Sequence, residues 1–184
     1  LYYHLILTDE CNLNCTYCRG KDYFSDGAGF ESGSSFIQLP PSPEYSREEL
    51  YSFLKKDEAP VVLFYGGEPL LRPDLIMDFM DNMPWCGFSL YTNGLMLRDL
   101  SCEYIRKLKT VIISIDGDME TTDGYRGCGV YNRVMNNIGY LYESGFSGEI
   151  IGRITVAENT DIFKSVTHLA ANGAHSFSSI HWQM

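Results

Sequence analysis

Three cysteines within eight residues, Cys11, Cys15 and Cys18 in CNLNCTYC, form the densest reactive group of the chain. At positions i, i+4 and i+7, one short loop can turn all three thiols toward a common centre. Thiolates are soft ligands that suit iron–sulfur clusters and zinc alike. On a cubane, three of them leave one iron open, and an open iron can bind a substrate. The rival is a zinc site completed by a histidine such as His4. Structural zinc usually takes two separated CxxC-type pairs, and this chain has no second pair. The cysteines alone therefore leave both metals open. Cys86, Cys102 and Cys128 are scattered and read as ordinary thiols, so a disulfide framework is not indicated.

A second set of candidates stands at the ends of apolar runs. VVLFY runs into Gly66-Gly67-Glu68-Pro69, where two glycines permit unusual φ and close backbone approach and the proline stops a strand. By itself GGEP is a polar turn. Arg153 interrupts a run of Ile and Val, and a guanidinium there needs a partner because an unpaired buried charge is costly. An anionic ligand would serve, and so would a salt bridge to Asp116 or Glu68. Ser114 precedes Ile115 and Asp116 at the end of a further apolar run. His4, His168, His175 and His181 show no pairing pattern, and Trp182 fits a core as well as a ligand wall.

The elements that must position these residues alternate. β-rich runs at 2–8, 61–65, 87–92, 111–115, 148–156 and 176–183 are separated by helical patterns at 47–56, 73–82, 100–108, 130–144 and 161–172. Repeated βα units of this kind predict an α/β fold with a parallel sheet. Ser46 with Glu49 forms a capping-box pair, Pro73 suits a first helical turn, and Gly145 and Gly173 follow helix ends. Residues 19–45 break the rhythm with a Gly/Ser/Pro-rich stretch about twice as long as an ordinary connection, which reads as an insertion beside the cysteine loop. The chain of 184 residues is one domain in size and stops just after the sixth strand, so it is expected to be the N-terminal portion of a longer protein.

Composition narrows the partners. A net charge of −10, from 24 acidic and 14 basic residues without a Lys/Arg-rich run, argues against nucleic acid. The apolar start, residues 1–8, lacks a basic flank and is too short for a signal peptide or membrane span. A cytoplasmic protein without a membrane partner is the expectation.

CxxxCxxC after the first strand, followed by GGEP after the second, resembles the radical S-adenosylmethionine enzymes. The likeness continues through Ser114-Ile115-Asp116-Gly117, Tyr125-Arg126-Gly127 and Arg153-Ile154-Thr155-Val156, and these later pieces look most like the branch that modifies peptides and proteins, including the sulfatase-maturing enzymes. The resemblance implies a partial (β/α)6 barrel of parallel strands with its site at their C-terminal ends, where α/β folds gather functional groups. It also implies a 4Fe–4S cluster on Cys11, Cys15 and Cys18 that reductively cleaves S-adenosylmethionine to a 5′-deoxyadenosyl radical. A peptide or protein substrate and an electron donor such as ferredoxin or flavodoxin would be the partners.

Residue by residue, the resemblance gives Gly66, Gly67 and Glu68 to the ammonium end of the cofactor and Arg153 to its carboxylate. Ser114 falls to the ribose, and the ring of Tyr17 lies near the adenine. No side chain is assigned as catalytic, since cluster and cofactor carry the chemistry. Arg126 matches a family arginine but reads as a solvated loop residue, outside the site. Two other readings remain: the same radical chemistry on a small metabolite or cofactor precursor, and a non-catalytic module stabilised by zinc.

Overall fold

The computed structural model describes residues 1–18, 45–172 and 176–183. The expected insertion at 19–45 therefore lies outside the described residues except for Tyr45. Six strands, β1 (Tyr2–Thr8), β2 (Val61–Gly66), β3 (Gly87–Thr92), β4 (Leu108–Ser114), β5 (Glu149–Thr155) and β6 (Ser179–Gln183), form one sheet in the order 1-2-3-4-5-6. Every neighbouring pair is parallel. Among the described residues β1 and β6 are the edges, so the sheet is open. Consecutive order with right-handed crossovers puts the described helices on one face, which is the winding of a barrel rather than of a doubly wound sheet. The partial (β/α)6 barrel is what the chain forms.

Alternation separates the two faces. Leu5 and Leu7 of β1, Val62 and Phe64 of β2, Phe88 and Leu90 of β3, Val111 and Ile113 of β4, and Ile150 and Ile154 of β5 are all buried in the main core. The helices meet them with apolar residues at helical spacing: Ile76, Phe79 and Met80 of α2 (Pro73–Asn82), and Val130, Val134, Ile138 and Leu141 of α5 (Val130–Glu143). The register puts His4, Tyr65, Tyr91, Ser114 and Arg153 on the other face. Along that face the rings of His4 and Tyr65 stack at 5.6 Å and those of Tyr65 and Tyr91 lie 5.0 Å apart.

Local signals set most boundaries. α1 (Arg47–Leu54) opens with the capping box: Glu49 N–H donates to Ser46 Oγ at 3.2 Å and Ser46 N–H to Glu49 Oε2 at 2.9 Å. α3 (Cys102–Lys107) is shorter than its sequence pattern, because Leu108 pairs with Phe88 and starts β4 instead. α4 (Met119–Arg126) falls where a loop was expected; its Thr, Asp and Gly content hides it, and Asp118 caps it by accepting from Thr121 N–H at 2.9 Å. The last helix is α6 (Ile162–Asn172). No described helix is long and apolar enough to cross a membrane.

Candidate metal and cofactor site

The loop that follows β1 carries Cys11, Cys15 and Cys18, all free thiols and all partly exposed. It is tied down from both sides. On the β2 side, Gly67 N–H donates to Thr8 O at 2.9 Å and Glu68 N–H to Glu10 O at 2.8 Å. A Cβ on Gly66, whose φ is +141°, would stand 2.2 Å from Thr8 O, and one on Gly67 would stand 2.2 Å from Glu10 O. The two glycines are thus required by the entry to the cysteine loop, which lies against them backbone to backbone.

Glu68 is engaged within the protein itself. Its side chain is fully buried and already accepts three donors. Leu70 N–H and the Thr92 hydroxyl reach Oε1 at 3.0 and 2.8 Å, and Asn93 N–H reaches Oε2 at 2.7 Å. Burial pushes its carboxyl above the usual range, partly offset by the donors from Asn93, Leu70 and Thr92. Glu68 therefore clamps the turn after β2 to the turn after β3.

On the β4 side the anchor is Asp116, completely buried at the strand's end. Its Oδ2 accepts from the Tyr17 hydroxyl at 2.5 Å and from Arg126 Nε at 2.6 Å. Its Oδ1 accepts from Arg126 Nη2 at 3.2 Å and Thr155 N–H at 3.0 Å. The Arg126 guanidinium also lies 5.5 Å from the Tyr17 ring centre, the Tyr17 and Tyr125 rings are 5.2 Å apart, and Thr16 N–H donates to Tyr125 O at 2.9 Å. Arg126 is only 6% exposed, so the expectation of a solvated loop arginine is corrected: α4 delivers it inward as the counter-charge of Asp116. Burial raises the Tyr17 phenol, Arg126 opposes that shift and Asp116 adds to it, which keeps the hydroxyl a donor.

Arg153 is the direct register partner of Ser114 on β4 and of His181 on β6, on the open face. Its guanidinium donates to Gln183 Oε1. It pairs with neither Asp116 nor Glu68, the two structural partners weighed for it, since Asp116 is engaged by Arg126 and Glu68 by neutral donors. Ser114 and Arg153 together offer a hydroxyl and a cation on the open face, on adjacent strands near their C-terminal ends.

The donor set fits an iron–sulfur cluster. Burial pushes the Cys15 thiol up, Arg126 pulls it down, and Cys11 and Cys18 push it up again, so Cys15 lies within electrostatic reach of both other thiols. Such crowding is relieved by a cationic centre. One zinc would need its thiolates about 3.8 Å apart, given Zn–S bonds of about 2.3 Å in a tetrahedron. A cubane gives each thiol an iron of its own and accepts a wider spread.

The family described as the Radical SAM superfamily matches residues 5–162. The chain is 30% identical over 183 residues to an AdoMet-dependent heme synthase of Methanosarcina barkeri, covering 93% of this chain and 48% of that protein. It is 29% identical over 157 residues to a GTP 3′,8-cyclase of Crocosphaera subtropica, covering 79% of this chain and 43% of that protein. Among solved structures, native anSMEcpe with bound AdoMet and the Cp18Cys peptide superposes with a TM-score of 0.67 at 19% identity, over 97% of this chain and 50% of that one. The chain thus spans about half the length of the curated relatives it matches.

Proposed function

Since the chain belongs to the radical SAM superfamily, whose cofactors are a 4Fe–4S cluster and S-adenosylmethionine, we propose that Cys11, Cys15 and Cys18 ligate that cluster and that the protein generates a radical from the cofactor. The observation that carries this reading is the loop itself: three partly exposed thiols, held at the C-terminal end of a parallel sheet by the Gly66–Gly67 contact and by the Tyr17–Asp116–Arg126 network. When bound and reduced, the cluster supplies one electron to the sulfonium of S-adenosylmethionine, releasing methionine and a 5′-deoxyadenosyl radical. The chain's own residues bind and orient. Arg153 and Ser114 supply a cation and a hydroxyl for the carboxylate and ribose, and the ring of Tyr17, its hydroxyl fixed on Asp116, forms a wall for the adenine. The backbone of Gly66 and Gly67 borders the ammonium end, while Glu68 acts from beneath as a positioning residue.

A peptide or protein side chain is the proposed hydrogen donor to that radical. Support comes from the fold shared with anSMEcpe, solved with a peptide bound, and from the open sheet face bearing His4, Tyr65 and Tyr91. A second reading, a small-molecule substrate, is favoured by the heme synthase and GTP cyclase relatives. In either case a reductant such as ferredoxin or flavodoxin is required.

Anaerobic reconstitution with iron and sulfide tests the core of the proposal. The reduced protein should form 5′-deoxyadenosine from S-adenosylmethionine; Cys15→Ala should abolish cluster and product, and Cys102→Ala should keep both. Product without cluster, or cluster without product, contradicts the reading. Extracts of cells grown in deuterated medium then separate the substrates. Deuterium entering 5′-deoxyadenosine from the peptide fraction supports the first, and deuterium from the small-molecule fraction alone replaces it with the second.

A further inference from the structure

Glu68 is the conspicuous acid of GGEP, and its fully buried carboxylate accepts from the turn after β3. That turn is fixed atom by atom. The Thr92 hydroxyl donates to Glu68 and accepts from Gly94 N–H at 3.0 Å. Asn93 gives its backbone N–H to Glu68 at 2.7 Å, and its side-chain Oδ1 accepts from Leu95 N–H at 3.0 Å. With the oxygen committed to the turn, the amide nitrogen must face the other way, so the orientation of this side chain is settled by its bonds.

What that nitrogen faces is the cysteine loop. Asn93 Nδ2 has two hydrogens; one goes to Asn12 Oδ1 at 2.7 Å and the other toward Cys11 Sγ at 3.8 Å. Cys11 Sγ accepts a second donor, the backbone N–H of Leu13, at 3.4 Å. Asn93 is only 7% exposed, so this amide works where solvent does not compete with it. A buried side-chain amide, locked by a buried carboxylate, is thereby aimed at one of the three ligand sulfurs.

We propose that Asn93 is a positioning residue for the iron–sulfur cluster, with its amide N–H setting both the orientation of Cys11 and the reduction potential of the cluster that Cys11 ligates, and with Glu68 acting through it. The inference rests on the reading of Cys11 as a cluster ligand. A hydrogen bond to a ligand sulfur withdraws electron density from it, which favours the form of the cluster with one more electron and so raises the potential. This gives the Glu68 side chain a role in the electron-transfer step without contact with the cofactor.

The test is an anaerobic redox titration of the reconstituted full-length protein, followed by electron paramagnetic resonance. Asn93→Ser keeps a hydroxyl that accepts from Leu95 N–H, as in an ST turn, but is too short to reach Cys11. Its cluster should load to the wild-type iron and sulfide content, with an altered spectrum and a lower midpoint. At a fixed potential the reduced-to-oxidised ratio should fall about three- to tenfold, the scale of one ordinary hydrogen bond. Tenfold corresponds to about 59 mV for a one-electron couple. Asn93→Asp replaces only the nitrogen and should lower the midpoint further, because it adds a negative charge. Thr92→Val is the comparator: it removes one donor to Glu68 but keeps the Asn93 N–H on Oε2 and the Asn93 amide itself, so it should lower the melting temperature and shift the midpoint by much less than Asn93→Ser.

A wild-type midpoint and spectrum in both Asn93 variants overturns the proposal. So does a shift in Thr92→Val equal to that in Asn93→Ser, because the effect would then follow the turn and not the amide. If Asn93→Ser fails to load, Asn93→Asp decides alone. A wild-type protein without cluster or without 5′-deoxyadenosine would instead bring down the underlying assignment.

Discussion

Replacing Arg126 by Met should be among the most damaging single changes at this end of the sheet. Asp116 is fully buried and has four donors, two of them from Arg126, which is also the only cation bridged to it among the described residues. Met fills much of the same volume but leaves a buried carboxylate without its counter-charge. Breaking a buried ion pair from one side costs about 3–5 kcal/mol, a large part of the 5–15 kcal/mol or so that holds a typical domain together. With an m-value of about 2 kcal/mol/M, the urea midpoint should fall by about 2 M. Anaerobic urea unfolding of the reconstituted protein, followed by far-ultraviolet circular dichroism, measures this directly. Asp116→Asn in the same background removes the stranded charge and should recover about 1–3 kcal/mol, because the two sites are coupled. Tyr17→Phe deletes one charge-assisted bond and should cost about 1.5–3 kcal/mol. A loss below about 1 kcal/mol in Arg126→Met would mean that the pair behaves as a solvated surface contact, and the account of the loop's anchorage would fail.

Gly66→Ala combines a φ of +141° with a Cβ placed 2.2 Å from Thr8 O, so it should displace the cysteine loop and collapse soluble yield and cluster content together. Gly139→Ala, inside α5 with nothing within 4 Å, should instead raise the melting temperature through a gain of about 0.5–1 kcal/mol. Asp118 caps α4, and the Lys164 and Thr121 hydrogen bonds hold its carboxyl below the usual carboxylate range. A depressed folded pKa contributes stability that is present above the unfolded value of about 3.9 and lost as pH falls through the folded one. The melting-temperature gap between wild type and Asp118→Asn should therefore be full at pH 6 and shrink below about pH 4; a gap independent of pH would contradict the assignment.

The sheet was legible because its rhythm is legible: six β-rich runs separated by helical patterns correspond to the six parallel strands, in sequence order. What hid α4 was the lack of an apolar stripe in METTDGYR, whose helix depends on the Asp118 cap and on the inward pull of one arginine. The same gap in sight misplaced Arg126. Loop arginines are mostly solvated, and nothing local says that Asp116, ten residues earlier, lacks access to water. The signal was there in a weaker form, since a carboxylate directly after an apolar strand needs a cation, and Arg126 is the first that follows. GGEP announced a special strand end, but two of the three donors to Glu68, Thr92 and Asn93, come from the end of β3, and only the β2–β3 pairing brings them within reach of the turn that Leu70 closes locally. Arg153 was placed on its strand correctly, while its contact with Gln183 depends on β6, the element farthest from the motifs.

These misses share a cause, and it bears on how the site works. Ligand residues advertise themselves through side-chain type and spacing, whereas the supports of the cysteine loop are mainly backbone contacts and buried pairs drawn from four other strand ends. From β2 come the two glycines against Thr8 and Glu10; from β3, Asn93 at Cys11; from β4, Asp116 with Tyr17; and from β5, Thr155 N–H on the same Asp116. A cluster with one open iron needs its three thiols held while substrate and electron arrive, and a loop left to itself would lose about 1–2 kcal/mol of backbone entropy for every residue it fixed on binding. Here that ordering is met during folding, by strand ends that must form anyway. The consequence is that mutations at Gly66, Asp116 or Arg126, none of them a proposed ligand, should reach the proposed cluster as surely as loss of a cysteine, but through stability and loop position instead of through the loss of a thiolate.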